Sequence, residues 1–151
     1  MAFRFTHEHA ISLVTPHLLP GEQIVSRSRG VEKPWYSLIF YRIGSIFWRY
    51  WLVVATNQRV LFIRHKGLFG GYGMKSMDAV PWQHVEQAKL GWGIFNKNLR
   101  VRAPAARIDR TVALNRFWLP NNFGDGEQLV FQWQRSRAGL GPGQMPRALA
   151  A

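Results

Sequence analysis

The sequence of 151 residues contains no cysteine. This absence excludes disulfide bonds, thiolate metal sites and cysteine nucleophiles, and it agrees with a reducing compartment. The first residues, Met-Ala-Phe-Arg-Phe-Thr-His-Glu-His, lack the apolar core of a secretory signal. We therefore expect a cytoplasmic protein, either unattached or peripheral at the inner face of the membrane.

Acidic residues are scarce. The chain has eight Asp and Glu against twenty Lys and Arg, fifteen of them Arg, so the formal net charge is +12. Such an imbalance attracts polyanions, which include anionic lipid, nucleic acid and an acidic protein face. A solvated basic surface would have the same composition, so charge alone does not identify a partner.

Catalytic and cofactor motifs are also missing. The eight acids are widely spread, and no Ser-His-Asp arrangement can be named from their positions. The glycines of residues 67–75 lack the Gly-Lys-Ser/Thr ending of a phosphate loop, and those of residues 91–96 lack the third glycine of a dinucleotide fingerprint. His7 and His9 would not share a helix face. We expect no catalytic activity, metal or cofactor, and both glycine-rich stretches are predicted to be turns.

One long apolar stretch could be a membrane-spanning helix. Residues 35–48 are apolar nearly throughout, and with residues 49–55 they reach about 20 residues, the length of a bilayer-crossing helix. Arg42 and Arg49 oppose such a helix, because each costs about 2.5–3.5 kcal/mol near the bilayer centre. We reject a spanning helix. The pattern leaves open whether residues 35–48 form an exposed membrane-binding helix or a buried cap over one end of the fold.

The clearest local signal is a hairpin. Two runs rich in β-branched and aromatic residues, 49–55 and 59–66, flank Asn57 and Gln58. Alternation places Val60 and Phe62 on one face and Leu61 and Ile63 on the other, so both faces of this strand should be covered over its first half.

The remaining elements are short. A helix capped by Thr6 should end near Pro16. Further strands are predicted at residues 22–29, 72–78, 87–90, 98–103 and 110–118, with turns or loops at 30–34, 67–73, 79–85 and 104–106. Asp125 and Gln128 fit a capping box before a last helix. Residues 129–133 also alternate as a strand would, but the cap favours the helix.

Three segments in order resemble bacterial pleckstrin-homology-like domains, a group related to GRAM domains. They are Leu19-Pro20-Gly21-Glu22, the hairpin Val54-Ala55-Thr56-Asn57-Gln58-Arg59-Val60, and Val80-Pro81-Trp82-Gln83-His84-Val85. The resemblance implies a mainly β fold: a curved antiparallel sheet or partial barrel, described equally as a β-barrel or curved sandwich, with a C-terminal capping helix. It also implies binding to membranes, to proteins or to its own kind rather than catalysis. The expected domains are a lead-in at residues 1–18, the PH-like domain at 19–137 and a flexible tail at 138–151.

The hairpin turn is expected to be structural. The Thr56 hydroxyl can satisfy a free backbone donor, and Asn57 tolerates a left-handed backbone. Arg59 can reach a carboxylate or free carbonyl groups across the sheet.

Our leading hypothesis is peripheral association with an anionic membrane surface. Aromatic residues would supply an apolar wedge or its support, and basic residues would supply attraction. The candidate residues are Arg27, Arg29, Lys33, Trp35, Tyr36, Phe40, Arg42, Trp48 and Arg49, with Trp51 as a further aromatic residue.

Two alternatives remain. Nucleic acid could bind a basic stretch made of Lys97, Arg100, Arg102, Arg107, Arg110 and Arg116. The same aromatic residues could instead mediate self-association or contact with a protein partner.

Overall fold

The computed structural model describes residues 6–33, 48–65 and 73–139. The described residues form two α-helices and seven β-strands, joined by short 3₁₀ turns. In chain order they are α1 (His7–Val14), β1 (Ile24–Glu32), β2 (Arg49–Thr56), β3 (Arg59–His65), β4 (Met74–Pro81), β5 (Gln87–Leu90), β6 (Asn96–Ala103), β7 (Ile108–Asn115) and α2 (Asn122–Arg137). The 3₁₀ turns are Thr15–His17, Trp82–His84 and Pro104–Ala106.

All strands join one curved antiparallel sheet in the order β4-β3-β2-β1-β7-β6-β5. The predicted mainly β fold with a short N-terminal helix and a C-terminal helix is therefore confirmed. A closed β-barrel is wrong, because β4 and β5 are the two edges of the sheet and do not pair. The sheet bends where β1 meets β7, since only Gly30 and Val31 pair there, with Leu114 and Ala113.

Two residues shape this crossing. Gly30 lets β7 approach closely, because a Cβ there would lie 2.4 Å from Val112 Cγ1 and 2.6 Å from the Ala113 oxygen. Asn122 then takes the place of a strand partner. Its Oδ1 accepts a hydrogen bond from the Arg29 N–H, and its Nδ2 donates to the carbonyl oxygens of Arg29 and Asn115. The first residue of α2 thus separates β1 from β7 while satisfying their backbones.

The sheet is covered on both sides. On one side, α2 contributes Leu129 to a core that includes Trp51, Phe62, Leu99 and Leu114. On the other side, α1 packs its buried face, Ala10 and Val14, on a second core made of Leu52, Val54, Leu61, Ile63 and Leu119. The prediction that β3 is apolar on both faces is confirmed, since Val60 through Ile63 are fully buried.

The helices follow most of their sequence signals. The Thr6 hydroxyl accepts a hydrogen bond from the His9 N–H, and α1 ends before Pro16 as predicted. Residues 129–133 are helical, so the helix was the right alternative. The proposed cap was wrong, because α2 begins at Asn122 and Asp125 lies inside its first turn. Asp125 is half-buried, and burial raises the pKa of its carboxyl, opposed by His7 and Arg27.

Several strand limits also differ. The turn predicted at residues 30–34 is wrong for its first part, because β1 continues through Gly30 to Glu32. β4 runs on to Pro81 before the 3₁₀ turn, and β7 stops at Asn115 rather than at residue 118. The predictions for the aromatic segment at 35–47, for most of the glycine-rich loop at 67–73 and for the tail after residue 139 lie outside the described residues.

A buried carboxylate joins the start of β1 to the β2–β3 hairpin. The Glu22 side chain has no exposed surface and pairs with Arg59, whose Nε lies 2.9 Å from Oε1. Glu22 also accepts hydrogen bonds from the Thr56 hydroxyl and from the Leu19 N–H, both at 2.7 Å. Arg59 donates further to the carbonyl oxygen of His17, after α1. We name Glu22, Arg59 and Thr56, with the backbone groups that they bind, the Glu22 junction.

The backbones on both sides of this junction are tight turns. The Glu22 N–H donates to the Leu19 carbonyl, with Gly21 at a φ of 74°, a value that favours glycine. In the hairpin, Thr56 Oγ1 accepts from the Arg59 N–H at 3.0 Å. Asn57 Oδ1 accepts from the Gln23 N–H at 2.9 Å. The two turns are thus fixed to each other as well as internally.

Burial alone would raise the pKa of Glu22. The hydrogen bonds from Arg59, Leu19 and Thr56 outweigh it, and the net result is a pKa below the ordinary 4.5. A carboxyl whose pKa is lower in the folded state stabilises the protein above its unfolded pKa. That stability is lost as the pH falls through the folded pKa.

Gly30→Ala should destabilise the protein by about 1–3 kcal/mol, because the added methyl group meets the backbone of β7 at the crossing. Urea denaturation measures the change. Gly73→Ala is the matched control, since a Cβ at Gly73 has nothing within 4 Å. Equal stability of the two variants would mean that the crossing does not require glycine.

Arg59→Met should lower the free energy of unfolding by about 3–5 kcal/mol at neutral pH, because it leaves the Glu22 carboxylate buried without its cation. Wild type and Glu22→Gln should differ in their free energy of unfolding at neutral pH, and this difference should shrink as the pH falls through the depressed Glu22 pKa. Urea denaturation at several pH values measures it. The exposed pair Arg100–Asp109 offers the control Arg100→Gln, for which little change is expected. A pH-independent difference between wild type and Glu22→Gln would contradict the assigned role of the carboxylate.

Candidate binding surfaces

Three of the candidate membrane-binding residues lie together where β1 ends and β2 begins. Lys33 follows β1 and is exposed, and its Nζ lies 4.7 Å from the ring centre of Trp48. Trp48 is half-buried and Arg49, the first residue of β2, is exposed. We call Lys33, Trp48 and Arg49 the strand-end surface. It presents one cation over an indole ring and a second exposed cation at the next residue.

Two other candidates have structural contacts instead. The Arg27 Nε donates to His7 Nδ1 at 2.8 Å, which ties β1 to α1. Arg29 is only 6 % exposed, and its guanidinium lies 5.8 Å from the Tyr50 ring and 5.4 Å from the Trp118 ring. Burial raises the pKa of Tyr50 even though the positive charge of Arg29 opposes this shift.

The remaining members of this set are either internal or not described. Trp51 is 3 % exposed and its indole N–H donates to Glu32 at 3.0 Å, so it belongs to the core. Trp51 can therefore support a binding surface but cannot itself be an exposed wedge. The other four candidates lie outside the described residues: Trp35, Tyr36, Phe40 and Arg42.

The candidate nucleic-acid residues are not brought to one face. In β6, Leu99 and Val101 are buried while Arg100 and Arg102 are exposed on the opposite face. Arg110 lies on the buried side, 3.9 Å from the Trp51 ring centre. Lys97 lies 5.0 Å from the Phe123 ring of α2. Arg107 and Arg116 follow different strands and are both exposed.

Acids neutralise most of these same cations. Four ion pairs form: Lys97 with Glu127, Arg100 with Asp109, Arg102 with Glu86, and Arg110 with Asp78. The hydrogen bond from Arg100 lowers the pKa of Asp109. Within this set only Arg107 and Arg116 lack an ion-pair partner among the described residues. Six exposed cations have no ion-pair partner among the described residues: Lys33, Arg49, Lys75, Lys89, Arg107 and Arg116.

The structure shows a second exposed surface that was not predicted from the sequence. The four most exposed large hydrophobic side chains of the described residues are Trp92 at 89 %, Phe117 at 67 %, Phe95 at 64 % and Ile94 at 59 %. Three of them belong to the β5–β6 turn and one follows β7. The turn at residues 91–96 was predicted correctly, but it is not a polar turn. The sequence signal for this surface was the presence of bulky apolar residues in a glycine-containing turn, because solvent-exposed turns are usually polar.

A depression of about 600 Å³ lies between the Trp82–His84 turn, the Pro104–Ala106 turn and the end of α2. Ser136, His84 and Glu86 all line it, which are residue types found in hydrolytic sites. No hydrogen bond joins these three described side chains. Glu86 instead pairs with Arg102 at 3.5 Å. The geometry is not that of a nucleophile oriented by a base.

Residues 6–33, 48–65 and 73–139 hold no group of three or more His, Asp or Glu side chains placed to bind a metal ion. In the same part of the chain, neither α1 nor α2 combines the length and the apolar character that crossing a membrane requires.

Structural neighbours share the fold at low sequence identity. The hSac2 domain of the human phosphoinositide phosphatase Sac2 has a TM-score of 0.50 and 13 % identity, and the match covers 91 % of this chain and 86 % of that one. A DUF1696 family protein with a pleckstrin-homology domain from Shewanella loihica PV-4 has a TM-score of 0.47 and 13 % identity, covering 83 % and 95 %. A pleckstrin homology domain from Shewanella amazonensis SB2B has a TM-score of 0.46 and 15 % identity, covering 80 % and 91 %.

No curated protein matches the sequence significantly. The family profile described as Bacterial PH domain matches residues 18–113, well over half of the chain. This range contains all three segments on which the resemblance was based, together with Glu22, Thr56, Arg59, strands β1 to β6 and most of β7. The chain is a member of the bacterial PH domain family.

Proposed function

We propose that this protein is a non-enzymatic binding module that associates peripherally with an anionic membrane surface. The observation that carries the proposal is the strand-end surface, where Lys33 lies over the ring of Trp48 and Arg49 is exposed next to it. An indole ring suits the headgroup boundary of a bilayer, and adjacent cations attract anionic headgroups.

The distribution of charge supports this choice over nucleic acid. Four of the six candidate nucleic-acid residues pair with carboxylates, which weakens their attraction for phosphate. Lys33 and Arg49 have no ion-pair partner among the described residues, although Glu32 is the register partner of Arg49. Glu32 accepts the indole N–H of Trp51 instead. The positive charge of the strand-end surface is therefore available to a ligand.

The fold gives weaker support. The structurally similar hSac2 domain belongs to a phosphoinositide phosphatase, so a related architecture occurs in a protein that acts on anionic lipid. At 13 % identity this likeness concerns the architecture alone. The proposal therefore depends on the residues of the strand-end surface.

The test is cosedimentation with vesicles of phosphatidylcholine and phosphatidylserine. Each basic residue near such a surface contributes about 1 kcal/mol, so Lys33→Glu/Arg49→Glu should weaken binding by roughly tenfold or more. Binding of the wild type should also fall with added salt and should be much weaker on phosphatidylcholine alone.

Arg107→Glu is the control, because it changes the charge of an exposed residue in the turn between β6 and β7 that is not part of the strand-end surface. It should retain most of the binding. Wild-type binding that is indifferent to lipid charge would refute the proposed function. Equal losses in the control and the double variant would show that net charge alone matters.

A further inference from the structure

We infer that Trp92, Ile94, Phe95 and Phe117 form an apolar tip that enters the boundary between the headgroups and the acyl chains of the membrane. This inference rests on the proposed function and adds to it a contact that does not depend on charge. The β5–β6 turn and Phe117, which lies two residues after β7, would determine how deeply the bound protein enters the lipid.

Exposure is the first argument. The apolar tip combines an indole that is 89 % exposed with two phenyl rings and an isoleucine that are each more than half exposed. These side chains contribute nothing to either hydrophobic core. Adjacent bulky side chains left in water at one place usually mark an interaction site, whereas single exposed hydrophobic residues do not.

The tip is held in place by backbone contacts. The Gly91 N–H donates to the Asn98 carbonyl at 2.8 Å, which closes the β5–β6 turn. The Arg116 N–H donates to the Phe95 carbonyl at 3.0 Å, which joins the turn to the segment that carries Phe117. The Asn115 side chain accepts a hydrogen bond from the Phe117 N–H at 2.9 Å. The two parts of the tip are therefore presented together without a conformational change.

The surrounding charges favour an anionic lipid surface as the occupant. Lys89 precedes the turn and Arg116 precedes Phe117, and both are exposed without an ion-pair partner among the described residues. The nearby acid Glu127 is neutralised by Lys97 at 3.2 Å. The side chains also project from a turn instead of lining a groove. A protruding apolar group bordered by cations suits a lipid boundary.

The tip is connected to the strand-end surface. Phe117 is followed by Trp118, whose ring centre lies 5.9 Å from that of Tyr50. Tyr50 follows Arg49 directly, and the Arg29 guanidinium lies against both rings. The packed pair Tyr50 and Trp118 thus joins the residue after Arg49 to the residue after Phe117. The inference places both surfaces against one membrane.

The test uses the full chain and the same phosphatidylcholine–phosphatidylserine vesicles. Trp92→Ser/Phe95→Ser should bind about tenfold more weakly or worse, because two aromatic side chains no longer leave water. Its sensitivity to salt should be unchanged, since no charge is altered. Ile11→Ser/Val25→Ser removes two exposed apolar side chains elsewhere and should bind as the wild type does. Circular dichroism checks that each variant is folded.

A second variant tests whether Trp92 reaches the acyl chains of the membrane. Trp92→Phe keeps the apolar surface, so vesicle binding should persist. Vesicles with brominated acyl chains should quench the tryptophan fluorescence of the wild type more than that of Trp92→Phe, because bromine quenches only indoles that reach the acyl region. Equal quenching in the two proteins would overturn the inference.

The outcomes separate the two proposals. If Lys33→Glu/Arg49→Glu loses binding while Trp92→Ser/Phe95→Ser binds normally, the apolar tip is refuted and the proposed function stands. If the wild type binds no anionic vesicle, the proposed function fails and the inference fails with it. If the tip substitution changes only the molar mass by light scattering, the tip is a contact between copies of the chain and the inference is overturned.

Discussion

The Glu22 junction is the interaction on which the arrangement of the first three strands depends. A buried carboxylate is costly unless its charge and hydrogen bonds are satisfied, and here Arg59, Thr56 and the Leu19 N–H satisfy them together. Each donor comes from a tight turn. The junction therefore holds the entry to β1 against the β2–β3 hairpin, and Arg59 extends the connection to the segment after α1. Replacing one partner leaves the others buried without their bonds.

Much of the fold could be predicted because its signals are local. The β2–β3 hairpin and β5 follow from alternation and turn residues within a few positions, and Thr6 marks the start of α1. The family resemblance depended on segments that are far apart in sequence, and the structure explains two of them physically. Leu19–Glu22 and Thr56–Arg59 are the two sides of the same junction, so their residues are constrained by one set of hydrogen bonds.

The sequence-based predictions were wrong where contacts with distant segments determine the conformation or the exposure of a residue. Gly30 resembles a turn residue in the sequence, yet it lies inside β1 because β7 crosses there. Arg29 resembles a surface cation, but Tyr50 and Trp118 enclose it. The basic stretch from Lys97 to Arg116 suggested one interface. Acids from β4, α2 and neighbouring positions neutralise four of its cations, and the strand alternation divides them between faces. Composition gives the net charge but does not show which cations remain free of acidic partners and can attract a ligand.

The placement of charge and apolar surface would make the proposed membrane association reversible. The six exposed cations that have no ion-pair partner within residues 6–33, 48–65 and 73–139 give long-range attraction, which salt screens and which specifies neither depth nor orientation. An apolar tip acts only on contact, and its contribution scales with the area removed from water. Either alone is a weak anchor, as single lipid-directed signals generally are. In the proposed binding mode the tip and the strand-end surface contact the membrane together, so both contributions add and weakening either one would release the domain.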